Sequence, residues 1–186
     1  MTGSAATSSP AVTADEIVSL LGLVPHPTEG GHFVETYRSG EGVRSGERVA
    51  AVSLPERFGG RRALATAIYY LLRPGTISHL HRLASDEIFH FYIGDPIEML
   101  NLHPDGSGCR LVIGTDLAAG MRPQVVVPAG VWQGARLVPG GRFALLGCTV
   151  SPGFEYADYT HGDRDALTAA YPVFRTEIAD LTVPGA

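Results

Sequence analysis

Short apolar stretches separated by glycine and proline turns run through most of the chain, and this spacing constrains the fold more than any other feature. Turns are indicated at Arg73-Pro74-Gly75-Thr76, Gly94-Asp95-Pro96, Pro104-Asp105-Gly106, Pro128-Ala129-Gly130 and Pro139-Gly140-Gly141. The stretches between them are short and bounded by turn residues, which favours strands over helices. Such a series of short strands is typical of an antiparallel sandwich or barrel.

The length of 186 residues is typical of one domain with a sizeable core. Residues 1–12 are small and polar and lack the basic and apolar regions of a signal peptide, so we expect a disordered tail followed by a single domain at 13–186.

Helices are predicted near the two ends of that domain. Thr13 and Glu16 have the spacing of a capping box, and a second short helix is expected at 163–170.

One strand-turn-strand segment, residues 75–94, carries side chains with metal-ligand spacing. His79 and His81 are two positions apart, so on a regular strand both imidazoles point to the same face. Glu87 follows after enough chain for a tight turn, which allows its carboxylate to reach the space in front of the two histidines. Two imidazoles and one carboxylate suit iron(II), and manganese, nickel or zinc would also fit. A solvent-facing or hydrogen-bonded role is the alternative for the histidine pair.

The same segment resembles the first motif of the cupin superfamily, in which a glycine, a His-x-His pair, a glutamate and a second glycine follow one another. In this chain these residues are Gly75, His79, His81, Glu87 and Gly94. The second cupin motif is matched by Pro128, Gly130 and Gln133. The gap between His81 and Glu87 is one residue longer than usual, and Gln133 stands where cupins normally have a histidine. The resemblance therefore implies a three-residue divalent metal site, with Gln133 as a fourth or more distant contact.

Longer sequence segments narrow the resemblance to a small cupin family of unknown function, which is loosely labelled predicted sugar epimerase. They are PHPTEGGHFVETYRS (25–39), TAIYYLL (66–72), SDEIFHFYIGDPIEM (85–99), PQVVVPAGVWQGARL (123–137) and GCTVSPGFEYADY (147–159). The resemblance implies an all-β double-stranded β-helix, a jelly-roll barrel with a small ligand cavity, and a homodimer. It also implies a small-molecule enzyme, an epimerase or isomerase of a sugar-like, polyhydroxylated or carbonyl compound.

In such a reaction the metal would polarise a carbonyl or hydroxyl group while a nearby acid or base moves a proton. The candidates for that acid or base are Glu87, Glu35, Tyr37, His90 and Tyr156. Strand alternation over 32–38 predicts that Glu35 and Tyr37 share one face and that Arg38 lies on the other. The same rule places His90 on the strand face opposite to Glu87, unless a bulge intervenes. On that face His90 would either support the residues of the site from behind or be a histidine of the core.

Three other functions stay open. The same three ligands bind iron(II) and oxygen in a non-haem iron dioxygenase. In a metal-independent isomerase, His81 and Glu87 would themselves act as general acid and base. The third possible function is that of a non-catalytic cupin that binds a small ligand, because a fold does not determine a function.

Charge and composition exclude several classes of function. All 14 Lys+Arg residues are arginine, so no lysine is available to form a Schiff base. The net charge of -5 argues against nucleic-acid binding and leaves a small molecule as the expected partner. No apolar run approaches the roughly 18 residues that span a bilayer. Cys109 and Cys148 are too few for a disulfide framework, which fits a reducing, cytoplasmic location.

Overall fold

The computed structural model describes residues 12–40, 42–44, 48–49, 52–58 and 61–183, so nearly all of the predicted disordered tail lies outside the described residues. Within these ranges the helices are α1 (Ala14–Leu21), α2 (Arg164–Ala170) and α3 (Arg175–Asp180), with 3-10 turns at Glu56–Phe58, Tyr156–Asp158 and Pro172–Phe174. The strands are β1 (Val24–Pro25), β2 (His32–Arg38), β3 (Gly42–Arg44), β4 (Arg48–Val49), β5 (Val52–Ser53), β6 (Arg61–Ala63), β7 (Thr66–Leu72), β8 (Ile77–Arg82), β9 (Asp86–Gly94), β10 (Ile97–Leu102), β11 (Gly108–Ile113), β12 (Gln124–Val127), β13 (Trp132–Leu137), β14 (Ala144–Ser151) and β15 (Thr160–His161).

The longer strands form two antiparallel sheets. One sheet has six strands in the order β1-β2-β7-β14-β9-β12, and the other has five in the order β11-β10-β13-β8-β15. From β8 onward, strands that follow one another in the chain belong to different sheets, except β10 and β11, so the chain passes repeatedly from one sheet to the other. The short pairs β3-β6 and β4-β5 form two separate ladders. This arrangement is a jelly roll, and the predicted all-β fold is confirmed.

The core lies between the inner faces of the two sheets. Its buried members are Tyr70, Leu72, Phe89, Ile97, Met99, Ile113, Val127, Val131, Ala135, Ala144, Leu146 and Cys148. Within single strands these residues are spaced two apart, as expected where one face of a strand is buried. Each large apolar side chain contributes roughly 1.5–3 kcal/mol when it is fully buried. The two sheets are therefore held together mainly by this apolar layer.

Helix α1 covers the outer face of the six-stranded sheet, where Ile17 packs against Leu71 and Leu145. The predicted capping box begins this helix. The Thr13 amide donates to the Glu16 carboxylate at 2.8 Å, and the Glu16 amide donates to the Thr13 hydroxyl at 3.3 Å. The prediction of a helix at this end of the domain is confirmed.

Helices α2 and α3 cover the outer face of the five-stranded sheet, where Leu167 and Ile178 pack against Leu80 of β8. Helix α2 is the helix predicted at 163–170, and the Asp163 side chain caps it. Helix α3 was not predicted, because the sequence after Pro172 offers no clear apolar period. All of these helices are short, and among the described residues none is long and apolar enough to cross a membrane.

Candidate active site

A cavity of about 100 Å³ opens between the inner faces of the two sheets. Its charged and imidazole-bearing lining residues are His26, Glu29, Glu35, Arg38, His81, Glu87 and Glu155. Aromatic rings of Phe33, Phe154 and Tyr156 complete much of the wall. Of the residues predicted from the sequence, Glu35, His81, Glu87 and Tyr156 line this cavity. His79, Tyr37, His90 and Gln133 are not among its lining residues.

A bulge in β8 alters the His-x-His pair. His81 lies opposite Gln133 of β13, but the next paired residue of β8 is Ser78, which lies opposite Ala135. Two residues of β8 therefore face one residue of β13, which is the pattern of a β-bulge. The bulge breaks the alternation, so that Ser78 and His81 both face the inner side of the sheet although they are three positions apart.

His79 lies within this bulge and does not join His81 in the cavity. Its ring lies beside that of His161, with 5.7 Å between the ring centroids. The expected common face of His79 and His81 assumed a regular strand, and the extra residue removes that regularity. The structure therefore does not bring His79 together with Glu87.

His81 is held in one orientation at the cavity wall. The residue is 1% exposed, and its ring stacks on Tyr159 with 5.0 Å between centroids. Its Nδ1 lies 2.7 Å from the backbone oxygen of His79. Because a carbonyl oxygen only accepts, Nδ1 carries a hydrogen, and Nε2 is therefore the ring nitrogen at which a proton can be taken up or lost. Nε2 lies 4.0 Å from Oε2 of Glu29.

Glu29 is one of the cavity residues that the sequence interpretation missed. It lies in the loop before β2, which was treated only as a connection. The Ser78 hydroxyl donates to Oε1 of Glu29 at 2.7 Å, and the backbone amide of His79 donates to the backbone oxygen of Glu29 at 2.8 Å. Gly30 follows with φ +91°, and a Cβ there would lie 2.3 Å from the Ile77 oxygen. The consecutive glycines after Glu29 were the available signal, because they mark a close backbone approach.

Glu87 is a buried carboxyl group opposite a neighbouring negative charge. Gln133 donates its side-chain amide hydrogen to Oε2 of Glu87 at 2.6 Å. Burial, followed by the charge of Glu29, raises the pKa of Glu87 to about 8, although the bond from Gln133 acts in the opposite direction. Glu87 is therefore mainly protonated at neutral pH and can donate a proton.

A second bulge, in β2, rearranges the other predicted acid-base candidates. Glu35 lies opposite Ile68, and the next paired residue, Tyr37, lies opposite Ala67, so Thr36 is the extra residue. Arg38 thereby reaches the cavity beside Glu35, contrary to the alternation expected from the sequence. Tyr37 is 56% exposed and stays outside the cavity. The prediction of Tyr37 as a cavity residue was wrong because the bulge shifts the parity of the strand.

Arg38 forms the centre of an ion-pair cluster at the cavity mouth. It makes a two-point contact with Glu35, through Nε at 3.1 Å and Nη2 at 2.9 Å. Nη1 donates to Glu155 at 2.9 Å, and Nη2 also donates to the backbone oxygen of Phe154 at 3.2 Å. The cluster joins β2 to the loop that follows β14.

His90 and Tyr156, the remaining candidates, differ in position. His90 faces away from the cavity. Its Nδ1 lies 3.3 Å from Gln124 Nε2, and its Nε2 lies 3.3 Å from Thr149 Oγ1. Its proposed catalytic role does not fit this position, because strand alternation in β9 places it opposite to Glu87. Tyr156 lies at the mouth with half of its surface exposed, close to His26.

The predicted metal ligands do not fit a metal ion in this arrangement. His79 lies outside the cavity, and Gln133 presents an N–H group to Glu87, which is a hydrogen-bond donor and not a metal ligand. Among the residues that the structure describes, no three His, Cys, Asp or Glu side chains are grouped so that they could hold one ion. The groups that the cavity does bring together are acids and bases.

A jelly roll with a polar cavity between its two sheets has the architecture of the cupin class. The sequence confirms this class, since residues 15–162 match the family described as Cupin superfamily (DUF985). The chain belongs to this family, and the cupin resemblance recognised in its motifs is confirmed.

Several proteins are similar to this chain over most of its length. The uncharacterized protein YML079W of Saccharomyces cerevisiae is 30% identical over 155 residues, which cover 81% of this chain and 76% of the yeast protein. The crystal structure of protein SO0799 from Shewanella oneidensis is 35% identical, with a TM-score of 0.78 over 93% of this chain and 99% of that one. A hypothetical protein from Leishmania major is 31% identical, with a TM-score of 0.79 over 92% and 99% of the two chains.

Proposed function

We propose that the chain is an acid–base isomerase or epimerase of a small carbonyl compound, of the sugar-like or polyhydroxylated kind. The observation that carries this proposal is the placement of His81. Its tautomer is held by the backbone of the bulge, and its free Nε2 faces a cavity that also contains a protonated carboxyl group. A base and an acid on one small cavity are what proton transfer next to a carbonyl group requires.

In the proposed reaction His81 Nε2 takes the proton from the carbon next to the carbonyl group. The electron pair of that C–H bond forms a C=C double bond, while the π pair of the carbonyl group moves to its oxygen, which receives the proton of the Glu87 carboxyl group. His81 then returns its proton to the neighbouring carbon, which gives the isomer, or to the opposite face of the first carbon after the enediol has turned in the cavity, which gives the epimer. The Glu87 carboxylate takes back a proton from an enediol hydroxyl group. Glu87 and His81 each recover their original protonation state when the carbonyl group re-forms.

Glu29 supports the charged form of His81 in this scheme. Its carboxylate lies 4.0 Å from Nε2 and is held in place by the Ser78 hydroxyl. A negative charge at this distance stabilises an imidazolium, and more strongly in a buried site than in water. Glu29 is therefore a positioning and charge-stabilising residue, and we do not assign it a proton transfer of its own.

The metal-assisted isomerase and the non-haem iron dioxygenase are less well supported by this geometry. Both require His79 and Glu87 to meet at one ion, and the bulge in β8 separates His79 from the cavity. A non-catalytic cupin would use the same cavity without proton transfer. The experiments below distinguish the two isomerase mechanisms from each other and from a protein that moves no proton.

Proton exchange in D2O tests the proposal without knowledge of the natural substrate. A panel of small aldoses, ketoses and hydroxycarbonyl acids is incubated with the protein, and deuterium incorporation next to the carbonyl group is followed by NMR. We expect exchange in at least one compound with the wild type, a loss of at least about 100-fold in His81→Asn, and no change in the control His90→Asn. Equal exchange in wild type and His81→Asn contradicts the proposal, and no exchange in the wild type favours a binding protein.

Metal dependence is tested in the same assay. Treatment with a chelator leaves the exchange rate unchanged if His81 and Glu87 suffice. A rate that is lost with the chelator and restored by iron, manganese, nickel or zinc would instead establish the metal-assisted reaction. Metal analysis of wild type, His79→Ala and Glu87→Ala would then identify the ligands.

We further propose that two copies of the chain associate, as the family resemblance implied. The outer face of the six-stranded sheet beyond α1 supports this, since it carries exposed apolar side chains of Tyr37, Tyr92, Ile93 and Val126. Light scattering of wild type and Val126→Glu checks the proposal. A monomeric wild type at micromolar concentration would contradict it.

A further inference from the structure

The cavity mouth is built from a continuous row of rings. Phe33 packs on His26 with 4.5 Å between centroids, and His26 faces Tyr156 at 6.3 Å. Phe154 meets Tyr156 edge to face at 5.1 Å. All four rings line the cavity. Faces of aromatic rings attract cations, and rows or cages of such rings are a common way to bind organic ammonium groups.

The same cavity carries an excess of negative charge. The carboxylates of Glu29, Glu35 and Glu155 line it, and Arg38 supplies the single permanent positive charge. Burial lowers the pKa of the His26 imidazole, so this ring adds no positive charge at neutral pH. Glu87 is mainly protonated there. Three carboxylates against one guanidinium leave a surplus of two negative charges.

Arg38 has little capacity left for an anionic ligand. Of the five N–H groups of a guanidinium, four are engaged with Glu35, Glu155 and the Phe154 oxygen. A phosphate or carboxylate at the mouth would find at most one unengaged N–H group on Arg38 and would meet the negative charges of both Glu35 and Glu155. A cation meets no such obstacle, because the side chains of Glu35 and Glu155 are 40% and 43% exposed.

We propose that the mouth of this cavity binds an organic ammonium group, held between the ring row and the carboxylates of Glu35 and Glu155. This deepens the proposed function, on which it rests for its reaction: the substrate would be an amino-substituted carbonyl compound, whose ammonium group is bound at the mouth while the carbonyl group reaches His81 and Glu87. Phosphorylated or carboxylated analogues of the same skeleton are rejected.

A pair of probes with the same shape tests the charge preference. Choline and 3,3-dimethyl-1-butanol differ only in the replacement of the quaternary nitrogen by carbon. Each is titrated into ¹⁵N-labelled protein at neutral pH and low salt, and the amide shifts of Phe33, Phe154 and Tyr156 are followed. We expect choline to saturate these shifts with a dissociation constant at least about tenfold lower than that of the neutral probe, and to weaken as salt is added. Equal binding of the two probes, or no saturable shift with choline, overturns the proposal.

Matched variants locate the charge that matters. Glu35→Gln and Glu155→Gln should each weaken choline binding about three- to tenfold, since each removes one nearby negative charge. Asp165→Asn removes one charge from α2, outside the cavity lining, and should leave binding unchanged. Unchanged binding in both glutamine variants would overturn the proposed site even if choline binds.

The variant His81→Asn separates this inference from the proposed reaction. It should keep the choline affinity of the wild type and lose proton exchange. Wild-type exchange without choline binding would refute the ammonium site alone. Choline binding in a wild type that exchanges no proton in any carbonyl compound would refute the isomerase alone.

Discussion

His81 donates its Nδ1 hydrogen to the backbone oxygen of His79 across 2.7 Å. The two residues were expected to act together as metal ligands through their side chains. They act together instead through one backbone oxygen, which lies within the bulge of β8 and determines which nitrogen of His81 is free. The bulge thus removes His79 from the cavity and, by the same displacement, leaves Nε2 of His81 facing Glu29.

The burial of Glu87 predicts that folding stability falls as pH rises. In the unfolded chain this carboxyl group loses its proton near 4.5, and in the folded protein near 8. Between these values the unfolded chain binds fewer protons, so the stabilising contribution is complete below about pH 4.5 and is lost by about pH 8. The loss is on the order of 4 kcal/mol. Glu87→Gln, which does not titrate, should therefore gain stability relative to wild type across this range.

Urea unfolding at pH 5, 6.5 and 8 measures this difference. The exposed control Glu56→Gln should follow the wild type at each pH. If Glu87→Gln shows the same pH dependence as the wild type, then Glu87 does not titrate near 8 in the folded protein.

Gly30 is predicted to be far less tolerant of alanine than Gly75. Both have positive φ, at +91° and +83°, but a Cβ at Gly30 would lie 2.3 Å from the Ile77 oxygen, whereas none of the atoms around Gly75 lies within 4 Å of such a Cβ. Gly75→Ala should cost roughly 1–2 kcal/mol for the backbone conformation alone. Gly30→Ala should cost on the order of 3 kcal/mol or more, since the backbone beside Glu29 must move. Denaturation midpoints compare the two, and equal losses would contradict the close approach.

The ion pair of Arg62 and Asp158 should be much more important for stability than that of Arg73 and Asp15. The side chains of the first pair are 7% and 5% exposed, and those of the second are 37% and 89% exposed. Asp158→Asn leaves a buried guanidinium charge without its partner and should cost roughly 3 kcal/mol. Asp15→Asn should cost less than about 1 kcal/mol. Thermal unfolding of the two variants checks the contrast, and similar midpoints would count against it.

Tyr70→Phe should destabilise the loop that carries Glu29. The Tyr70 hydroxyl donates to the backbone oxygen of Gly30 at 3.0 Å, and the ring is 1% exposed. Its loss leaves a buried carbonyl oxygen with one partner fewer, at a cost of about 1–2 kcal/mol. The control Tyr69→Phe changes a half-buried ring on the outer face of the same strand. Hydrogen exchange of the Glu29 and Gly31 amides should accelerate only in Tyr70→Phe, and equal protection in both variants would contradict this role.

Much of the fold could be predicted because it depends on local patterns. The turn sequences and the short apolar stretches between them identified most of the strands, and the Thr13–Glu16 capping box identified the first helix. The cupin motifs led to the right family and to His81 and Glu87 as cavity residues. The placement of His90 outside the cavity also followed from strand alternation, although it remained in the list of candidates.

The remaining site residues could not be predicted because they depend on single irregularities in the strands. The sequence does not reveal where an extra residue enters a ladder, and one extra residue reverses the facing of every side chain beyond it. In β2 this reversal turns Arg38 toward the cavity and leaves Tyr37 on the outer face. In β8 it removed His79 from the cavity.

The sequence by itself determined the class of fold, the family and, through the cupin motifs, His81 and Glu87 as cavity residues, since these depend on turn chemistry, apolar period and motif spacing along the chain. Only the tertiary structure decided which groups meet. Glu29 reaches His81 because Gly30 lets its loop lie against Ile77 of β8, and Glu87 retains its proton because burial beside that carboxylate makes ionisation costly. Both effects arise from contacts between residues far apart in the chain, which no local pattern records.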